Sequence, residues 1–164
     1  MTITTAMEIL ADFLAAVLSE HTVTASDGTE TAVKVYAGYP PVRSSSVERE
    51  SFAYCLATKA TDEDYSKCEI EIGFSIYDND PQEGWRNLFN CMEHVRQAIL
   101  LRRTIGKKLW LELPMTTEVV AEQTFPQWCG KITAVFNIGQ PAEEINYDDI
   151  QESATAFGVY RPNS

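Results

Sequence analysis

Apolar side chains recur at three- and four-residue intervals at Met7, Leu10, Phe13, Leu14, Val17 and Leu18, the repeat of one helix face. The spacing predicts an amphipathic helix over residues 3 to 20. It stops between His21 and Thr31, where threonine, serine, aspartate and glycine dominate and Asp27-Gly28 suits a turn. From Ala32 to Ala37 the period shortens to two, with Val33, Val35 and Ala37 on one side and Lys34 and Tyr36 on the other, which predicts a short strand. Gly38-Tyr39-Pro40-Pro41 ends it, because proline brings no amide hydrogen to a ladder. The serine-rich run from Arg43 to Arg49 reads as an exposed loop. Alternation returns between Ser51 and Lys59, where Phe52, Tyr54 and Leu56 oppose Ala53, Cys55 and Ala57.

The cleanest strand runs from Cys68 to Tyr77. Cys68, Ile70, Ile72, Phe74 and Ile76 face one way, and Glu69, Glu71, Gly73, Ser75 and Tyr77 the other. One side is core and the other wet, as in an antiparallel sheet covered on a single face. After the turn-rich stretch from Asp78 to Gly84, Trp85, Leu88, Phe89, Met92, Val95 and Ile99 mark one face of a second helix. That helix is about 30 Å long if it reaches Arg103. Arg102 and Arg103 complement its carbonyl end, and Gly106 is placed to end it. Leu109, Leu111 and Leu113 alternate up to Pro114, Thr116 to Gln123 leaves strand and short helix both open, and Gly130 to Ile138 is a last strand. The order predicts an α+β fold: a mainly antiparallel β-sheet with the N-terminal helix and the long central helix packed on one face. Residues 1–139 are expected to form one domain, and the aperiodic stretch 140–164 an acidic C-terminal arm or tail carrying Glu143, Glu144, Asp148, Asp149 and Glu152.

Composition narrows the function. With 164 residues and 45% hydrophobic content the chain can bury one contiguous core. No stretch reaches the roughly 18 to 20 apolar residues of a membrane span. The first turns carry Glu8, Asp12 and Glu20 in place of a secretory leader, so the expectation is a chain made and kept in the cytoplasm, with no membrane partner. Lysine and arginine number 13 against 24 aspartate and glutamate, a formal charge of -11 that opposes contact with phosphate backbones. Specific nucleic-acid binding is therefore not expected, although such a surface would let a duplex slide past.

Candidate chemistry is sparse. Cys55, Cys68, Cys91 and Cys129 are spaced too widely for a zinc knuckle, and three of them occupy core positions. Cys91 and His94 share helical spacing and are the one nucleophile-and-base pair, but no glycine-rich oxyanion turn accompanies them, and Asn87, Asn90 and Gln97 surround them with a solvated edge. Asp62-Glu63-Asp64 and Asp78-Asn79-Asp80 lack the calcium-loop pattern and read as charged turns. Phosphate-loop, dinucleotide and nucleophile-elbow signatures are absent. No catalytic residue, cofactor or metal site is expected. What remains is a candidate protein interface at Tyr36, Tyr39, Pro40, Pro41, Val42 and Arg43, where aromatic and proline residues meet on a loop. A local packing turn accounts for the same residues equally well, and exposed sheet edges offer a second contact mode.

The segment from Cys68 to Asp80, an alternating strand ending in Tyr77-Asp78, runs through a turn containing Gly84 into a helix with Arg96-Gln97 near its end. It resembles the central strand and helix of phage tail-terminator proteins. Upstream, Val33-Lys34-Val35-Tyr36-Ala37-Gly38-Tyr39-Pro40-Pro41 is similar to that family's first strand, and the likeness spans about residues 3 to 138. The resemblance implies a cofactor-free structural protein of the virion tail. It would cap the tail tube as a homo-hexameric ring, stop tube growth, and present a docking face to the head connector, with DNA passing through the lumen. Its partners would be copies of itself, the tube protein and the connector protein. Alternatives are another head-tail connector or minor tail protein, a Cys/His enzyme, or a bacterial adaptor.

Overall fold

The computed structural model describes residues 1–24, 28–40, 50–122 and 124–144. The N-terminal helix α1, Ile3–Val17, starts at Thr2, whose hydroxyl accepts the Thr5 backbone N–H at 3.0 Å. It buries Ala6, Leu10, Ala11 and Leu14, so the expected stripe holds, with Met7, Phe13 and Val17 half-buried on its flank. The region read as a plain loop after it contains a small hairpin, β1 (Thr22–Thr24) with β2 (Glu30–Ala32), which buries only Val23. A three-residue strand with a single apolar position leaves almost no periodic signal.

Six further strands form one sheet: β3 (Lys34–Ala37), β4 (Phe52–Asp62), β5 (Ser66–Tyr77), β6 (Thr104–Ile105), β7 (Leu109–Val119) and β8 (Gln127–Ile138). Their spatial order is β3-β4-β5-β8-β7-β6. The class is α+β as expected, but the sheet is mixed: β3 pairs parallel to β4, from Lys34 opposite Phe52 to Ala37 opposite Cys55, and the other pairs are antiparallel. Period-two alternation reports which face a residue takes and carries no information on strand direction.

The long helix α2, Trp85–Arg102, lies over β8 and β5, while α1 lies over β3 and β4. Together they cover Ala53, Cys55, Ile70, Ile72, Phe74, Ile76, Ile132, Ala134 and Phe136. Each fully buried isoleucine or phenylalanine contributes about 1.5–3 kcal/mol relative to exposure, so this one layer holds the fold together. The stripe expected on α2 needs correction at its start. Leu88, Met92, Val95 and Ile99 are buried together with Cys91, whereas Trp85 and Phe89 remain 38% and 45% exposed.

Two chain-breaker expectations also change. α2 ends before Gly106, with Arg103 in the left-handed region at φ 57 and its N–H on the Ile99 carbonyl. Gly106 at φ 58 instead turns the chain from β6 into β7. Nor does Pro114 end its strand: it falls in an irregularity between Glu112 and Thr116 on the outer part of the sheet, where a missing N–H costs no ladder bond, and β7 runs on to Val119.

The Asp78-Asn79-Asp80 turn joins β5 to α2. Asp80 accepts the N–H groups of Gln82 and Glu83 at 2.9 and 3.0 Å, which holds its carboxyl below the usual carboxylate range. Asn87 donates to the Asp78 carboxylate and Trp128 Nε1 donates to the Asp78 carbonyl at 3.1 Å. Gly84 fits beneath: a Cβ there would stand 2.6 Å from both the Asp80 carbonyl oxygen and Trp128 Nε1. The motif is structural, a joint that fixes the helix against the sheet.

Candidate interface on the helix-free face

The second face of the sheet has no helix among the described residues. Strand register places Phe52, Tyr54, Glu71, Gly73, Ser75, Cys129, Lys131, Thr116 and Glu118 on it. Tyr54 stands opposite Gly73, and its ring occupies the space that a side chain would fill, since a Cβ on Gly73 would lie 2.1 Å from the ring. The hydroxyl donates to Glu71 Oε2 at 3.0 Å. Burial, then the Glu71 carboxylate, push the Tyr54 phenol up to about 12. Lys131 sits at 3.4 Å from Glu71 and 3.7 Å from Glu118, tying three strands by side chains that remain partly solvated.

Beside this network lies a groove of about 720 Å³ between the aromatic strip and the β7–β8 hairpin. Pro40, Phe52, Tyr54, Ser75, Val119 and Val120 line it, and Cys129 lies along it with its thiol donating to Ser75 Oγ at 3.8 Å. Gln127 donates to the same Ser75 hydroxyl and to the Glu50 carbonyl, each at 3.0 Å, leaving its own carbonyl oxygen buried without a partner. Across the hairpin a smaller groove of about 280 Å³ is lined by Trp85, Phe89, Val120 and Trp128. Trp85 meets Phe89 edge-on at 5.6 Å, and Phe125 meets Trp128 likewise at 6.4 Å. Exposed Val119, Val120 and Phe125 complete an apolar rim around the hairpin end.

Of the residues named from sequence, Tyr36 packs edge-on against Phe52 at 6.1 Å, Pro40 lines the larger groove, and Tyr39 is 82% exposed. Pro41, Val42 and Arg43 lie outside the described residues. Sequence reasoning missed the groove's other wall, because Val119 and Val120 reach it only once β7 continues past Pro114. It also missed the Tyr54–Gly73 pair, which only cross-strand register reveals. The sole available signal was an unexplained glycine in the middle of the best strand.

Cys91 and His94 do not form a reactive pair. Cys91 is fully buried under the helix and its thiol is pushed up to about 12, the reverse of what a nucleophile needs. His94 is exposed and its ring lies 6.0 Å from that of His21. No cluster of three or more metal-ligating side chains occurs among the described residues, and no described helix is long and apolar enough to cross a membrane.

No protein-family model matches the chain, and no curated protein does. Among solved structures it is similar to a chain from the virion of a native gene transfer agent particle. The two share 12% identity at a TM-score of 0.37, over 84% of this chain and 95% of that one.

Proposed function

We propose that this protein is a structural part of a phage-like particle, a tail terminator that closes as a hexameric ring on the end of the tail tube and joins it to the head connector. The observation that carries the reading is the outer edge of β7. β6 covers only Leu109 and Trp110, so from Glu112 to Val119 that edge pairs with no strand among the described residues. An unpaired edge beside an apolar rim accepts backbone and side chains from a neighbour. The opposite margin of the sheet is the short parallel strand β3 with Tyr36 and Tyr39, a different surface, and two unlike lateral surfaces are what a closed head-to-tail ring requires. The tail location rests on the strand-turn-helix resemblance, and the net charge of -11 suits a conduit that DNA slides through without sticking.

Electron microscopy of the purified protein, alone and mixed with assembled tubes, tests this directly. Closed rings at tube ends are expected, and their absence in both samples overturns the reading. Thr116→Lys adds a charge at the open edge of β7 and should abolish rings while changing stability by less than about 0.5 kcal/mol.

A further inference from the structure

We infer that the end of α2 and the β6–β7 turn form a docking corner for the acidic C-terminal segment, residues 143–152, of a second copy of this chain. The inference rests on the self-associating reading above and adds a contact that would orient one copy against the next. In a chain with 13 cations and a net charge of -11, four cations fall within seven residues: Arg102, Arg103, Lys107 and Lys108. All four are exposed. Lys34, Lys67, Arg86, Arg96 and Lys131 each hold a carboxylate, whereas none of these four does among the described residues.

The corner is held rigidly. The Leu111 N–H donates to the Arg103 carbonyl at 2.7 Å, the Lys108 N–H to the Ile105 carbonyl at 3.1 Å, and Ile105 and Leu109 anchor it in the core. Arg103 Nε donates to the Leu100 carbonyl at 3.1 Å, which uses one donor of its guanidinium fork. Leu101 on the helix side is 87% exposed and Trp110 on the strand side 51% exposed. Solvated cations need no such apolar neighbours, while an interface uses both.

The matching chemistry lies in the same chain. Glu143-Glu144-Ile145-Asn146-Tyr147-Asp148-Asp149-Ile150-Gln151-Glu152 places five carboxylates among ten residues, without a cation and interleaved with Ile145, Tyr147 and Ile150. The chain leaves β8 at Gly139, and the Gln140 amide is bonded to the Glu63 carbonyl and Ser66 Oγ, each at 3.2 Å. Those partners lie on the β5 side of β8, whereas the corner lies on the β7 side. Glu143 and Glu144 are exposed and form no ion pair with the corner of their own copy. A basic corner without carboxylate partners among the described residues and an acidic segment whose described start, Glu143 and Glu144, forms no ion pair with it fit a head-to-tail contact between unlike patches.

Carbodiimide coupling, which joins a lysine amine to a touching carboxylate as an amide with loss of water, tests the contact on full-length chains. One copy carries Lys107→Arg and Lys108→Arg; a co-expressed second copy carries Glu→Gln or Asp→Asn at the five acidic positions. A cross-link from corner lysine to acidic segment can then form only between copies. The expected result is that cross-link in the mixed sample, reduced at least tenfold by Arg102→Glu with Arg103→Glu in the lysine-bearing copy, with unchanged circular dichroism. A cross-link in the wild type but not in the mixture would mean the segment folds onto its own copy and overturns the proposal, as does no cross-link in either. So does a short DNA duplex that binds the wild type and not Lys107→Glu with Lys108→Glu, since the corner would then be a phosphate site. Rings without the cross-link defeat this contact alone; the cross-link without rings defeats the ring alone.

Discussion

The two faces of the sheet are written in the same strands, residue by residue in alternation, and they have opposite characters. Toward the helices, Ile70, Ile72, Ile76, Ile132 and Phe136 are fully buried and all apolar. Toward the other side, Tyr54, Glu71, Glu118 and Lys131 form a partly solvated network beside an apolar groove. The first face needs nothing beyond this chain to be satisfied. The second, with the open edge of β7 and the rim at the hairpin end, is the side that the proposed assembly would cover. Under the proposed reading, fold and assembly are carried by different faces, and substitutions should separate them.

The largest effect belongs to Ile72→Asp. Ile72 is fully buried in the central strand, opposite Ile132, so an aspartate there is a carboxylate without a partner. The cost is on the order of 5 kcal/mol, comparable with the whole stability of many domains. Urea denaturation followed by circular dichroism should show no cooperative transition, and a wild-type midpoint would mean that the faces are reversed.

Thiol chemistry draws the same contrast without a mutation. Burial pushes Cys55 and Cys91 up to about 12 and raises Cys68, while Cys129 lies half-buried along the groove of the open face. In the native protein Cys129 should react first with a disulfide reagent, roughly a hundredfold or more ahead of Cys55 and Cys91. Equal rates for all four would remove the distinction between the faces.

The covered face was legible because burial imposes a period. Cys68 to Ile76 and Ile132 to Ile138 alternate, and Leu88, Met92, Val95 and Ile99 repeat every three or four positions, so these elements lie close to their expected places. Legibility failed where pairing rather than burial decides. The parallel direction of β3, the continuation of β7 past Pro114 and the β1–β2 hairpin all depend on which backbone groups meet across the chain. Trp85 and Phe89 show the converse failure: their helical spacing matched a core stripe, yet they remain partly exposed along the groove with Val119, Val120 and Trp128. Pro40 was visible as an interface candidate by composition alone, while Val119 and Val120, which line the same groove, were not.

A smaller effect tests whether the open face is organised or merely exposed. In Gly73→Ala the new Cβ takes the place of the Tyr54 ring, which must swing away and release Glu71. The expected loss is about 1 kcal/mol, the net worth of one such hydrogen bond. In a Tyr54→Phe background the bond is already gone, so the same substitution should cost measurably less in urea titrations. Additive losses would mean that ring and hydroxyl do not act together.

The smallest effect concerns the edge of the helix layer, where His21, in the link between α1 and β1, meets His94 of α2. His21 is held below its ordinary value of 6.5, first by burial and then by His94, and its Nε2 is buried without a partner. The fold therefore favours neutral His21. As pH falls below 6.5 the unfolded chain takes up a proton that the folded chain still refuses, so stability present above that pH is lost progressively down to the lower folded value. Melting temperature compared at about pH 7.5 and about pH 5.5 should drop most in the wild type, less in His94→Gln, where only the second cause is removed, and least in His21→Phe. Every other titratable group is common to all three proteins, so the differences in slope isolate the histidine pair. Identical slopes would mean that His21 and His94 meet without sensing protons.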